Sequence, residues 1–121
     1  MEKSQFDNYI DGVVTVYKQK EKKTDFSAQI NPTSRDDLQK VDKFNYQELS
    51  VRNQDLDFAE KSDFSLSMKI KIRKSKRIAP KHMAVIDDYL YSIKHIDSDK
   101  KNTYLYLEGV RSLAKYTTRQ T

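Results

Sequence analysis

The alternation of polar and apolar side chains between Ser67 and Lys74 is the feature that most constrains how this chain can fold. Met68, Ile70 and Ile72 are apolar, and a basic residue follows each of them. Because successive side chains of a β-strand point to opposite faces, this spacing places the apolar residues on one face and the basic residues on the other. The segment therefore predicts a half-buried strand with one basic face.

The residues after this strand predict a compact antiparallel unit. Two apolar runs, Met83–Ile86 and Leu90–Ile96, are separated by an Asp-Asp pair that favours a turn. A polar loop at Asp97–Asn102 then leads into Thr103–Leu107, which is rich in residues that favour strands. The second half of the chain therefore predicts one strand followed by two hairpins.

Three elements are predicted upstream. Val13–Tyr17 is rich in β-branched residues, and Phe44–Val51 alternates, so both predict strands. Asn53–Lys61 has acidic residues early and a lysine at its end, which favours about two turns of helix. The stretch Lys18–Lys43 is long for a connection, and we expect either that a short strand at Phe26–Ile30 divides it or that it projects from the body. The residues expected to face inward from the helix are Leu56, Phe58 and Ala59.

The length of 121 residues predicts one domain, with a core from about residue 12 to 113, a flexible N-terminus and a flexible polar C-terminal tail. The chain has no cysteine, which fits a reducing cytosol. No stretch approaches the roughly 20 apolar residues that a membrane-spanning helix needs, and the first residues lack the apolar region of an export signal. We therefore expect a soluble, unexported protein with no membrane partner.

Lysine and arginine outnumber the acidic residues by 23 to 18, which gives a formal net charge of +5. This balance permits contact with nucleic acid, an anionic membrane surface or an acidic protein, although a mixed surface of this kind mainly keeps a protein soluble. The basic residues concentrate on and after the strand at 67–74. They could neutralise phosphates, or they could form a solvated face that discourages edge aggregation. This basic run comprises Lys69, Lys71, Arg73, Lys74, Lys76, Arg77 and Lys81.

Four tyrosines lie on the predicted hairpin strands, in two pairs that are each spaced by two residues. We expect them to form one cross-strand cluster. Such clusters usually belong to a core or a protein interface, and exposed ones can stack nucleic-acid bases. The four residues are Tyr89, Tyr91, Tyr104 and Tyr106.

Nothing in the sequence predicts a catalytic, cofactor-binding or metal-binding residue, and we do not expect an enzyme. His82 and His95 are the only histidines, and glycine occurs only at Gly12 and Gly109, too few for a phosphate-binding loop. Four aspartates near the predicted turns lack the glycine and the distal glutamate of a calcium loop, so turn formation explains them better. These aspartates are Asp87, Asp88, Asp97 and Asp99.

Several short motifs follow one another in a defined order. In chain order they are Phe44–Val51, Arg52–Lys61, Lys69–Arg73, Ile78–Val85, Tyr91–Ile93 and Ile96–Asn102. Their order and spacing resemble the head-tail joining family of long-tailed bacteriophages, which contains small stopper or head-completion proteins. The resemblance covers residues 12 to 110. The chain departs from the family at Phe6–Gly12, which is acidic and aromatic instead of basic, and at Lys18–Lys43, which is longer.

The resemblance implies a mainly β fold, namely a small antiparallel β-barrel with one short helix and long polar loops. It also implies a virion protein that is assembled in the host bacterial cytoplasm and forms a homo-oligomeric ring at the head-tail interface. The implied partners are the portal and adaptor ring, the tail proteins and the DNA in the channel. We expect the isolated chain to be a monomer, and we expect no cofactor.

In such a ring, loops project into the channel and close it. Residues 52–65 are the first candidate for this loop, and residues 18–43 are the second. The polar residues of the first candidate are Arg52, Asn53, Gln54, Asp55, Asp57, Glu60, Lys61 and Asp63. Two other functions stay open, a tail completion or terminator protein of the same connector, and a small basic β-barrel that binds nucleic acid.

Overall fold

The computed structural model describes residues 9–19 and 38–113. The expected strand at Phe26–Ile30, the extreme N-terminus and the tail after residue 113 lie outside the described residues. Within the described residues the fold is mainly β with one short helix, as predicted. The elements are β1 (Gly12–Gln19), β2 (Leu38–Leu49), α1 (Asn53–Lys61), β3 (Met68–Arg73), β4 (Met83–Ile86), β5 (Tyr89–Ser98) and β6 (Asn102–Ser112).

The strands form one antiparallel sheet that closes on itself in the order β1-β2-β3-β6-β5-β4. Closure depends on β1, which pairs with β2 along one edge and with β4 along the other. The predicted second hairpin is the longest ladder, because β5 and β6 pair from Tyr89 opposite Ser112 to Ser98 opposite Thr103. A closed sheet leaves no long exposed edge for another chain to pair with.

The first half of β2 was predicted incorrectly. The sequence indicated a loop from Lys18 to Lys43, whereas β1 extends to Gln19 and β2 already begins at Leu38. The register of the two strands shifts between Val16 and Tyr17, so that β2 has one extra, unpaired residue opposite them. Such a bulge breaks the period-two pattern, which is why the alternation in this half of β2 could not be recognised.

The core fills the inside of the closed sheet. The side chains that are fully buried there include Val14, Val16, Ile70, Ile72, Leu105 and Leu107. In β4 all four residues are buried. Ala84 and Ile86 belong to this interior cluster, while Met83 and Val85 join Leu38 in a second cluster. The unbroken apolar run of β4 is therefore explained by burial on both of its faces.

The turn between β4 and β5 is formed by Asp87 and Asp88, which have positive φ angles of 51° and 61°. This left-handed conformation at both central residues is typical of tight hairpin turns whose twist matches the flanking strands. The predicted turn is therefore confirmed. The helix α1 has 9 residues, and none of the helices in residues 9–19 and 38–113 is long and apolar enough to cross a membrane.

We expect the replacement Ile72→Ala to lower the free energy of unfolding by about 2–5 kcal/mol, because it leaves a cavity in the closed interior. Ile72 is completely buried, whereas Ile10 is 76% exposed. The matched control Ile10→Ala should therefore change the free energy by less than about 0.5 kcal/mol. Urea unfolding followed by circular dichroism measures both values, and equal losses would contradict the described core.

Candidate functional site

The segment between β2 and β3 is predicted to be the channel loop, and the structure forms it as a capped helix followed by a tight return. The backbone N–H of Arg52 donates to the carboxylate of Asp55 at 3.0 Å, which holds the first turn. After the helix, Asp63 has a positive φ of 66°, and the N–H of Phe64 donates to the carbonyl of Ala59 at 3.0 Å. Both ends of the helix are therefore fixed, and the segment is not an open loop.

A buried ion pair holds the helix against the sheet. The Nζ of Lys69 lies 3.2 Å and 3.3 Å from the two carboxylate oxygens of Asp55. The side chains are only 18% and 7% exposed. Burial acts to raise the pKa of Asp55, but hydrogen bonds from the Arg52 backbone and from Lys69 outweigh it and hold that pKa below its ordinary value. The carboxylate is therefore ionised at neutral pH and acts as an anchor.

This ion pair corrects two predictions. Asp55 was expected among the polar residues of the channel loop, but it lies on the inward side of the helix and is buried. Leu56 was expected to face inward, but it is 47% exposed; Ala59 is buried as expected, and Phe58 is 37% exposed although its ring packs on the sheet. Inward-facing positions in a helix recur every three or four residues, and Asp55 and Ala59 occupy them here because Lys69 neutralises the acid.

The other predicted channel residues are exposed. The outward face of α1 carries Gln54, Asp57 and Lys61. Glu60 is exposed on the side of the helix next to this face. Arg52 and Asn53 are exposed at the start of the helix, and Asp63 is exposed just after its end. The segment therefore presents a mixed polar surface from a firmly held base.

An aromatic cluster lies beside the ion pair. The ring of Phe58 packs on His95 at 4.7 Å and on Tyr106 at 5.9 Å, measured between centroids. His95 and Tyr106 are 5.1 Å apart, and the Nζ of Lys69 lies 5.2 Å from the centre of the Tyr106 ring. His95 is therefore a packing residue between the helix and the outer face of β5 and β6.

The expected cluster of four tyrosines does not form. Tyr89 and Tyr91 pack together at 5.1 Å, but Tyr106 packs on His95, and the hydroxyl of Tyr104 donates to Asp99 at 2.7 Å. The register of β5 and β6 places Gly109 opposite Tyr91, so the two pairs are staggered along the hairpin. The pairing register of β5 and β6 sets this stagger, and residue spacing within one strand cannot show it.

The predicted basic run is divided between two environments. Lys69 is half-buried in the ion pair, and the guanidinium of Arg73 lies 5.1 Å from the ring centre of Tyr9. Lys71 is half-buried on the same face. The expected bare basic face of β3 is therefore wrong, because the helix covers its beginning and Tyr9 packs against its end.

The remaining basic residues lie at one end of the barrel. Here the loop between β3 and β4 meets the turn between β5 and β6, since the N–H of Lys74 donates to the carbonyl of Lys101 at 3.0 Å. Lys100 and Lys101 were not predicted as part of a basic site, because only the pairing of β3 with β6 brings them there. The exposed residues of this basic end are Arg73, Lys74, Lys76, Arg77, Lys81, Lys100 and Lys101.

Two further contacts fix this end. Arg77 pairs with Asp42 at 3.1 Å across an exposed surface. His82 accepts a hydrogen bond from the N–H of Ala79 through Nδ1 at 3.1 Å. Burial, aided by Lys18, lowers the pKa of His82 below its usual value, so this ring is neutral near pH 7 and suited to accept that bond.

Two of the four aspartates near the turns bind backbone groups, as predicted. Asp97 accepts from the N–H of Ser98, and Asp99 accepts from the N–H groups of Lys101 and Asn102 at 2.9 Å and 2.8 Å. The hydroxyl of Tyr104 and these two amides lower the pKa of Asp99. Among residues 9–19 and 38–113 there is no group of histidine and acidic side chains that could hold a metal ion.

An open groove lies between α1 and the residues that lead into β3. Its volume is about 500 Å³. Leu56, Phe64 and Leu66 supply apolar surface, and Glu60, Asp63 and Glu108 carry acidic groups along it. The sequence analysis did not find this groove, because its residues come from the helix, the return and β6. We call it the acidic groove.

Comparison with known proteins adds no identification, because no family model matches the chain and no curated protein matches it significantly.

We expect Asp55→Asn to lower the free energy of unfolding at pH 7 by about 1–3 kcal/mol, because it leaves the Lys69 ammonium without its counterion. The folded-state pKa of Asp55 lies below the unfolded value, so the stabilisation is complete above the unfolded pKa and is lost as the pH falls through the folded pKa. The difference from wild type should therefore shrink below about pH 4.

Urea unfolding at several pH values measures this difference. The matched control is Asp57→Asn, which changes an exposed carboxylate on the same helix and should have little effect at any pH. A loss that is equal for the two variants, or constant with pH, would show that the ion pair does not anchor α1.

Proposed function

We propose that this chain is a structural subunit of the head-to-tail connector of a tailed bacteriophage, acting as a stopper that closes the portal and adaptor channel and docks the tail. The observation that carries the proposal is the ordered series of motifs between Phe44 and Asn102. In the closed barrel this series includes a helix inserted between β2 and β3, two strands that are paired with each other.

The anchoring of the inserted segment supports this function. A segment that closes a channel against packaged DNA must present side chains to the channel without being displaced. Asp55 and Lys69 hold α1 on the barrel, and the exposed residues of its outward face are Gln54, Asp57 and Lys61. Because a ring repeats one such segment in every subunit, segments that are small individually can block a pore together.

The proposed ring would be a homo-oligomer at the head-tail interface of the virion, bound to the portal and adaptor on one side and to tail proteins on the other. Before docking, its subunits would be monomers at low concentration and would associate weakly at high concentration, because contacts that are weak between two molecules become stable when a ring closes. A tail completion or terminator protein would use similar segments, but it would bind the tail tube instead of the adaptor.

The stopper proposal predicts that the purified chain forms a ring on portal and adaptor rings encoded beside it. Native mass spectrometry of the mixture measures the stoichiometry. Binding to the portal and adaptor supports the stopper, whereas binding only to the tail-tube protein would overturn it in favour of tail completion.

Charge reversal on the outward face of α1 tests the channel segment. Gln54→Lys with Asp57→Lys should leave ring formation on the adaptor unchanged and alter DNA retention in packaged heads, because the new lysines attract the phosphates in the channel. A matched control with the same change in charge is Asn45→Lys with Glu48→Lys, two exposed residues of β2 outside the helix and the basic end. Equal effects of the two variants on DNA retention would contradict the assignment of α1 to the channel.

The basic end favours a second candidate function, direct binding of nucleic acid. Six exposed basic side chains from two loops gather there beside Arg73 at the end of β3, and the acidic residues nearby are Asp42, Asp97 and Asp99. Basic loops of this kind bind phosphates without reading sequence. In a stopper this surface would contact the DNA of the channel, and in an independent nucleic-acid-binding protein it would be the main site.

This second candidate predicts that the chain retards DNA at low salt and that affinity falls steeply as salt rises, with a slope set by the number of phosphates contacted. Lys100→Gln with Lys101→Gln should reduce both the affinity and the slope. Lys61→Gln with Lys94→Gln, which removes the same charge elsewhere, should change neither greatly. A wild-type chain that shows no retardation at low salt would exclude this function.

A further inference from the structure

We propose that the acidic groove of one molecule binds the basic loop, residues 74–82, of a second copy of this chain. The groove combines apolar surface from Leu56, Phe64 and Leu66 with the acids Glu60, Asp63 and Glu108. This inference rests on the proposed function for its ring geometry, and it names the subunit contact that would build the ring.

The two surfaces are complementary in chemistry. In the basic loop, the small apolar residues Ala79 and Pro80 are exposed and lie between Lys76 and Lys81, which are also exposed. In the proposed contact, the apolar residues of the loop therefore pack against the apolar residues of the groove. The lysines of the loop face the acidic residues of the groove. Such complementarity raises the rate and the specificity of association more than its strength.

The charges of both surfaces are available for a partner. Within the described residues, the side chains of Glu60, Asp63, Lys76 and Lys81 make no ion pair or hydrogen bond, and Glu108 has only a distant contact of 3.9 Å with Lys94. The solvated charges keep a monomer soluble and can pair when a second molecule approaches.

The loop cannot reach the groove of its own molecule. The groove ends at the start of β3, where the N–H of Ser67 donates to Leu107, and the loop leaves from the end of β3 after Arg73. The 6 residues of this strand separate the two surfaces by about 20 Å. Ile78 is packed into the barrel interior, so the loop is held over its own end.

A contact between two different surfaces of identical molecules is heterologous, and it produces either a closed ring or an open filament. The groove is small, and exposed ion pairs contribute little individually. We therefore expect the contact to be weak between two free molecules and to become stable when several close into a ring.

Two variants with opposite charge changes test the contact. The groove variant is Glu60→Lys with Asp63→Asn, and the loop variant is Lys76→Glu with Lys81→Asn. Asp63 and Lys81 have positive φ angles, and asparagine tolerates that conformation. Each variant places like charges against each other in its own assembly, so we expect its self-association to weaken at least tenfold.

Mixing the two variants restores complementary charges at both kinds of contact. Sedimentation at low ionic strength should therefore show the mixture associating about as strongly as wild type, with the association lost at high salt. The matched controls are Gln54→Lys with Asp57→Lys on the outward face of α1, and Lys100→Glu with Lys101→Asn at the basic end. Both should associate as wild type does.

A wild-type chain that stays monomeric at high concentration and low salt would overturn the contact. So would a mixture that fails to associate, controls that weaken association equally, or a loop variant that loses DNA retardation while self-association is unchanged. Association that behaves as expected in a chain that binds neither portal nor adaptor would overturn the stopper function and leave this contact standing.

Discussion

The pairing of β1 with β4 is the contact on which the rest of the molecule depends. Thr15, Val16 and Tyr17 pair with Val85, Ala84 and Met83, and these few residue pairs convert an open sheet into a closed one. Val14 and Val16 then complete the interior against Ala84 and Ile86. If this seam opened, a core that is fully buried would meet solvent, and two strand edges would become available to other chains.

Closure also determines where the functional surfaces lie. Because the sheet is closed, the segments that connect strands are confined to the outer face and the two ends of the barrel. The helix covers the outer face of β3 and β6, and the loop after β3 crosses one end with Ile78 inserted into the interior. A small closed sheet with a short helix therefore presents an acidic and a basic surface at separate places.

Local patterns predicted most of the strands, and they failed where a contact between distant segments decides the outcome. The alternation at Ser67–Lys74 and the turn pair Asp87-Asp88 are local signals, and both predictions were confirmed. The start of β2 was missed, because a bulge opposite Val16 and Tyr17 interrupts its periodicity. A pattern along one strand indicates which side chains face the core, but the register with the neighbouring strand also depends on the turn and on bulges.

The same dependence on contacts between distant segments explains why the candidate site was not predicted from the sequence. The sequence assigned Lys69 to a basic face and Asp55 to a polar loop, since charged residues are usually exposed. The two side chains form an ion pair that is largely shielded from solvent, and residue spacing within either element could not indicate this pair. The acidic groove and the contribution of Lys100 to the basic end likewise exist only after β3, β6 and the helix have come together.

The close contact between Gly109 and Tyr89 has an evolutionary consequence. A Cβ at position 109 would lie 3.1 Å from the Tyr89 ring, and the N–H of Gly109 donates to the hydroxyl of Ser67 at 2.9 Å. A side chain at this position would require the Tyr89 ring, which packs on Tyr91 at 5.1 Å, to shift by a few tenths of an ångström. Homologous chains that keep the tyrosine pair should therefore keep glycine at 109, and the two features should covary as lineages diverge.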